Sequence, residues 1–142
     1  MPAELLQDAL DNGFARVAFG SMAWDFFRRL SDEVGDGQPP VLLYASHEAE
    51  FALEVTWAGR FAGWRDAAEA EGDPDFEEQL RSPLARHDWL GNEHGGAWAI
   101  YWIVDGLHRL QQPIPLGDLR LPNGKHLSSA FIPRGPTRIL AP

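Results

Sequence analysis

Cysteine is absent from the sequence, which excludes disulfides, zinc–thiolate centres and a thiol nucleophile. Long apolar runs are absent too, since no stretch approaches the roughly 18 residues that a membrane-spanning helix needs. The first residues, MPAELLQDALDN, are acidic and lack the basic and apolar regions of a signal peptide. We therefore expect no signal peptide and a cytoplasmic location.

An excess of positive charge is also lacking. The formal net charge is −9, which argues against generic nucleic-acid binding, because phosphate binding needs surplus Lys and Arg. The segment Asp66–Leu80 holds seven acids and no base, and without them the formal charge would be −2. The negative charge is thus concentrated in one place, and another face of the molecule is free to be neutral or basic.

The length of 142 residues predicts one domain, 1–142, and the 14 glycines and 11 prolines favour short strands over a helical bundle. The polar, acidic stretch at about 65–96 is interpreted as an insertion that faces solvent or a partner. Gly72 and Pro74 allow it two short helices at most. Candidate last strands are Leu127–Ile132 and Thr137–Leu140, whereas Pro113 and Pro115 are expected to prevent regular pairing near Gln111–Leu116.

Two runs form the expected centre of the fold, VLLYAS at Val41–Ser46 and FALEVTWAGRFAGW at Phe51–Trp64. In the second run large apolar residues alternate with small or polar ones, which is typical of a strand with one buried face. AWAIYWIV at Ala97–Val104 is apolar on both faces and predicts a central strand. With two helices near the N-terminus, the pattern predicts an α+β domain built on a partly closed barrel of five or six strands.

The order of these motifs resembles the PUA-like superfamily, in particular its EVE-type and ASCH-type domains. The likeness lies in the turn Gly35-Asp36-Gly37 before VLLYAS, in the next strand's small residues, and in AIYWIVDGLHRLQQPIPLGDLR with its Pro-X-Pro-Leu exit. It runs from Phe14 to about Leu140. The resemblance implies a small PUA-like pseudo-barrel that binds nucleic acid or a nucleotide, RNA or modified DNA.

In PUA-like domains the cleft between the first helix and the barrel receives a base, often a modified or flipped one. The resemblance implies that Ser21, Trp24, Tyr44 and Ser46 line this cleft, and Trp57 ends the third strand beside them. Aromatic rings stack on bases for about 1–3 kcal/mol each, and hydroxyls read the base edge. The alternatives are that Trp24 and Trp57 belong to the core and that Ser21 is only a helix N-cap.

Several basic residues are candidates for contacts to the flanking phosphates: Arg28, Arg29, Arg60, Lys125, Arg134 and Arg138. His87-Asp88 with Glu93-His94 have the residue types of a metal site but do not match the helical HExxH pattern, so a solvated loop is favoured and no metal is expected. No phosphate loop, nucleophile elbow or dinucleotide fingerprint is present, and we expect no cofactor.

Three functions stay open at this point. The first is a non-catalytic reader of a modified or flipped base. The second is a protein-interaction module on the same barrel, with a basic protein partner at Asp66–Leu80. The third is a small hydrolase of modified nucleosides or RNA, like members of the ASCH group, with His47, Glu48 and Glu50 as acid–base groups. The ASCH signature does not appear in this sequence, so binding is favoured over catalysis.

Overall fold

A computed structural model describes residues 2–45, 53–86, 98–128 and 135–140 of the chain. The described residues form an α+β structure with one four-stranded antiparallel sheet. The elements, in chain order, are α1 (Ala3–Asp11), β1 (Arg16–Ser21), α2 (Trp24–Val34), β2 (Pro40–Leu43), β3 (Glu54–Asp66), α3 (Ala67–Glu71), α4 (Pro74–Leu80), α5 (Pro83–Arg86), β4 (Ile100–Pro115) and a 3₁₀ turn at Leu116–Asp118.

The strand order across the sheet is β1-β4-β3-β2. The α+β class is therefore confirmed. The described strands do not close into a five- or six-stranded pseudo-barrel, because β1 and β2 lie at opposite edges of an open sheet. Thr137–Leu140, expected as a last strand, is irregular, although the Leu140 N–H donates to the Arg120 carbonyl. Much of Leu127–Ile132 lies outside the described residues.

Alternation along the strands gives the sheet two buried faces, which we call upper and lower. On the upper face, Val17, Phe19 and Val104 pack against Leu6 and Ala9 of α1. Phe27 of α2 continues this layer and contacts Phe61, Ile100 and Trp102. The upper face is thus covered by the two N-terminal helices.

On the lower face, Ala18, Tyr101 and Ile103 pack against α3 and α4. Phe76 of α4 is almost fully buried, and its ring lies 5.1 Å from that of Tyr101. The two short helices expected within Ala67–Leu80 are therefore present, and their apolar side chains are part of the core. In the described part of this stretch Ala67, Ala70 and Phe76 are buried against the sheet, whereas the acids Glu69, Asp75 and Glu78 are exposed.

Strand β4 is central, as the apolar pattern on both faces predicted, but it runs farther than expected. It continues through Pro113 to Pro115, and Glu54 pairs with Pro115 at its end. β1 pairs with β4 as far as Asp105, and among the described residues the later part of β4 pairs in the sheet with β3 alone. Proline has no backbone N–H to donate, and on a strand edge its nitrogen can face away from the paired strand, so that no ladder hydrogen bond is lost. Pro113 and Pro115 are tolerated for this reason.

The buried ring of Phe76 generates the first prediction. Replacing Phe76 with Ala should lower the free energy of unfolding by about 3–5 kcal/mol, because it empties an aromatic site between α4 and the sheet. Urea denaturation followed by circular dichroism measures this change. Glu78→Gln, on the exposed side of the same helix, is the matched control and should change stability by less than about 0.5 kcal/mol. Equal stability of the two variants would show that α4 is not part of the core.

Candidate functional site

The residues predicted to form an aromatic base pocket are not brought together. Trp57 is fully buried in the upper-face core, with the guanidinium of Arg109 4.9 Å from its ring centre, so it is a core residue and not a pocket wall. Tyr44 is half-buried and packs in a separate cluster around Val55 and Leu116. The alternative assignment of Trp57 to the core is thus the one that the geometry supports.

Ser21 and Trp24 do lie together, at the junction of β1 and α2. Ser21 is the last residue of β1, and its hydroxyl accepts the Ala23 N–H at 3.0 Å, so it supports the turn but is not the N-cap of α2. Trp24 is the first residue of α2 and is 50% exposed, and its neighbour Met22 is 47% exposed. Two large apolar side chains side by side on the surface are unusual in a small domain.

The exposure of Trp24 has a simple geometric cause. Trp24, Phe27 and Leu30 are apolar residues spaced three apart on α2, and the structure buries Phe27 and partly buries Leu30. Steps of three residues advance about 300° around a helix, so such a stripe rotates by about 60° at each step. Phe27 faces the sheet, and Trp24, three residues earlier, therefore points about 60° away from that direction. Trp24 is therefore left out of the core, and half of its surface stays exposed.

The predicted phosphate contacts are divided among distant places. Arg28 lies beside Trp24, and Arg28 and Arg29 each pair with Asp25, at 3.0 and 2.9 Å. The guanidinium of Arg28 also lies 5.2 Å from the Trp24 ring centre. Lys125 is exposed in the turn after Arg120, where its N–H donates to Asn123 Oδ1.

Arg60 lies elsewhere, on β3, in a row of paired residues that crosses all four strands. Pro40 on β2 pairs with Arg60, Arg60 with Asp105 on β4, and Asp105 with Arg16 on β1. Arg16 begins β1 and Ser21 ends it, so this row lies roughly 17 Å along the strand from the Trp24 junction. Arg60 therefore does not flank the same ligand as Trp24.

That row borders a groove on the lower face, where α3 and α4 stop covering the sheet. The groove has a volume of ≈ 330 Å³, and its walls and floor include Leu42, Ala58, Arg60, Asp105 and His108. A second groove of ≈ 410 Å³, between the end of α1 and α4, is lined by Arg16 on its near side. Arg16 pairs with Asp105 at 3.4 Å, so one ion pair joins the two grooves. No sequence spacing pointed to this site, because only the sheet register brings its residues together.

The acidic segment is fixed to the sheet by arginines. Arg81, which is buried, donates from Nη1 to the Ala18 carbonyl of edge strand β1 and from Nη2 to the Ala85 carbonyl, at 3.1 and 2.7 Å. Its guanidinium also lies 4.6 Å from the Tyr101 ring centre. Arg86 donates to the Glu77 and Glu78 carbonyls at the end of α4. A covered edge strand is protected from pairing with other chains.

Two surface ion pairs stabilise the carboxylates that they include. The hydrogen bond from Arg138 lowers the pKa of Glu33 below its ordinary value, and the same pair raises the pKa of Arg138. The hydrogen bond from Arg65 likewise lowers the pKa of Asp73, whose Oδ2 accepts at 3.1 Å. Asp73 also caps α4 by accepting the Asp75 N–H.

Other predicted site residues lie outside the described residues: Ser46, His47, Glu48, Glu50, His87, Asp88, Glu93, His94 and Arg134. The hydrolase alternative depends on several of these. Within the described ranges no cluster of three or more His, Asp or Glu could hold a metal ion. No helix in the described ranges is long and apolar enough to span a membrane.

The lowered pKa of Asp73 generates a pH prediction. Asp73 bound to Arg65 stabilises the fold fully above its ordinary pKa of 3.8, and this contribution is lost as the pH falls through the lower, folded-state value. Wild-type stability, measured by urea denaturation between about pH 3 and 6, should therefore fall below about pH 4 more steeply than that of Asp73→Asn. Asparagine keeps the N-cap and loses only the charge. Asp75→Asn is the control, and parallel curves for wild type and Asp73→Asn would contradict the prediction.

Comparisons with protein-family models, with curated proteins and with solved structures gave no match to this chain. The resemblance to the PUA-like superfamily therefore stays a prediction.

Proposed function

We propose that this domain is a non-catalytic reader that binds a nucleobase, in a nucleotide or a nucleic-acid strand, against the Trp24 indole. The observation that carries the proposal is the half-exposed ring of Trp24 at the β1–α2 junction. An indole on the surface offers a planar apolar face, and stacking of one base on such a face contributes about 1–3 kcal/mol. A modified or flipped base is the ligand expected, and a flipped base has left its stack and presents a free face.

The charge around Trp24 favours a phosphorylated ligand despite the net charge of −9. Arg28 and Arg29 share the single carboxylate of Asp25, so the three side chains together carry one positive charge. The first backbone N–H groups of α2 have no side-chain cap, and the N-terminal end of a helix favours an anion. A phosphate next to a stacked base would meet both features.

Ser21 supplies a polar group at the same junction. Its oxygen accepts the Ala23 N–H, and the hydroxyl proton is available to donate to a base edge. Specificity would come from this hydroxyl and affinity from the indole and the arginines. The proposal includes the PUA-like pseudo-barrel, of which the four described strands would be the larger part. Tyr44 and Trp57 are not part of the proposed site.

The test measures binding of nucleotides, modified nucleosides and short RNA and DNA oligonucleotides by tryptophan fluorescence and by calorimetry. Trp24→Ala should weaken binding at least about fivefold, because the stacking face is removed, and Trp24→Phe should retain part of it. Leu10→Ala, an exposed apolar residue on α1, is the matched control and should bind like wild type.

A second measurement separates phosphate contacts from stacking. For an oligonucleotide, Arg29→Gln should reduce the slope of log affinity against log salt by about one, because one fewer counterion is released. The proposal fails if no ligand of these classes binds at up to about millimolar concentration, or if wild type and Trp24→Ala bind equally.

We also propose, as the second candidate, a protein-interaction module with a basic protein partner at Asp66–Leu80. The observation that favours it is the outer side of α3 and α4, where Glu69, Asp75 and Glu78 are exposed while the inner side is fixed to the sheet. A rigid, single-sign surface steers a partner of opposite charge and raises its association rate. Deleting this segment would remove part of the core, so the test has to change charge and keep the helices.

The variant for this test is Glu69→Gln, Asp75→Asn and Glu78→Gln combined. It should reduce capture of basic proteins by the immobilised domain and lower the association rate several-fold at low salt. Circular dichroism should show an unchanged fold. The control is Glu4→Gln with Asp11→Asn and Asp32→Asn, three exposed acids on α1 and α2. Equal losses for the two triple variants would indicate a general charge effect and contradict a specific surface.

A further inference from the structure

We propose that the lower-face groove is a second binding site, separate from Trp24, for a small ligand that carries a phosphate or carboxylate group beside an N–H or O–H donor. Arg60 would bind the anionic oxygens, and His108 and Asp105 would accept from the neighbouring donor. Leu42 and Ala58 would contact the rest of the ligand.

Arg60 has guanidinium donors that are free to bind an anion. Arg60 is directly opposite Asp105 in the register, yet its guanidinium turns to the Gln38 carbonyl, to which Nη1 donates at 3.1 Å. Asp105 pairs with Arg16 on its other side. Within the described ranges Arg60 makes no ion pair, and its side chain is exposed at the groove. Its remaining guanidinium donors are therefore free, in a fork that fits phosphate or carboxylate oxygens.

The tautomer of His108 is fixed by a hydrogen bond to the backbone. Its Nδ1 lies 2.9 Å from the Gly106 carbonyl, which can only accept, so Nδ1 carries a proton. In the neutral ring Nε2 is then an acceptor, and the ring orientation is fixed by the bond that Nδ1 makes. Gly106, with φ of 65°, places its carbonyl there, and a side chain at this position would strain the backbone.

The groove has the shape and volume of a site for a small ligand. Ala58 and Leu42 pair across β3 and β2, and Ala58 pairs with His108 across β3 and β4, so these three residues form the row next to Arg60 and Asp105. The small side chain of Ala58 leaves a depression between the larger residues. A volume of ≈ 330 Å³ is at the small end of ligand sites, which suits a metabolite-sized molecule.

The experiment uses the full chain and an assigned two-dimensional ¹H–¹⁵N spectrum, titrated with inorganic phosphate and, separately, with acetate. Sodium chloride at equal ionic strength is the reference. The expected result is saturable shifts at the amides of Gly59, Arg60, Gly106 and His108. A response to phosphate alone or to acetate alone supports the site and identifies the anionic group.

The variants make the result specific to the groove. Arg60→Gln should weaken the saturable binding at least about tenfold, since a charged hydrogen bond is lost, and Arg60→Lys should restore part of it. Arg120→Gln, an exposed arginine outside the groove, is the matched control.

Two outcomes would overturn the proposal: no saturable shifts at the groove with either anion, or equal affinity in wild type and Arg60→Gln. The result at the groove is independent of base binding at Trp24. The variants Trp24→Ala and Arg29→Gln should show the same amide shifts at the groove as wild type. Failure of nucleotide binding at Trp24 would therefore not change this result.

Discussion

The pairing of β3 with β4 is the interaction on which the rest of the structure depends. These two strands, 13 and 16 residues long, form the middle of the sheet, and the other strands and both helical layers attach to them. Close approach of the two backbones is built into the sequence at Gly59, where a Cβ would lie 2.4 Å from Val104 Cγ1. The same pairing buries Trp57 and aligns Arg60 with Asp105, so the core and the groove are consequences of one register.

The negative charge and the scaffold occupy the same segment. Helices α3 and α4 carry most of the acids between residues 66 and 80, yet Phe76 and two alanines of these helices complete the lower face of the sheet. Arg81 links the segment to the edge strand, and the Arg65–Asp73 pair ties α4 to the end of β3. A short amphipathic helix needs few apolar residues to dock when the sheet supplies the other half of the contact. The result is an acidic surface that is held against the sheet by these contacts.

The two exposed sites lie at opposite ends of β1 and on different parts of the surface. At one end the Trp24 junction combines an apolar ring with a small positive charge, which suits a base with its phosphate. At the other end the groove is polar, with alternating charge along the row Arg16, Asp105 and Arg60, which suits a small ligand with both an anionic group and a donor. The acidic segment begins in the same row of the sheet as Ser21, because Asp66 pairs with Ile100 and Ile100 pairs with Ser21, but its helices cover the lower face whereas α2 covers the upper face.

The sequence by itself determined where the central strands of the sheet lie. Alternation along Val55–Trp57 and apolar residues on both sides of Ile100–Val104 predicted strands that the structure contains, because side-chain periodicity is a local property of the chain. Only the tertiary structure decided which aromatic residues are buried: Trp57 and Trp24 look alike in the sequence, but one lies under the β3–β4 pair and the other lies off the buried stripe of α2. The groove of Arg60 and His108 was likewise decided by strand register, which joins residues about 50 positions apart and leaves no spacing in the sequence to reveal it.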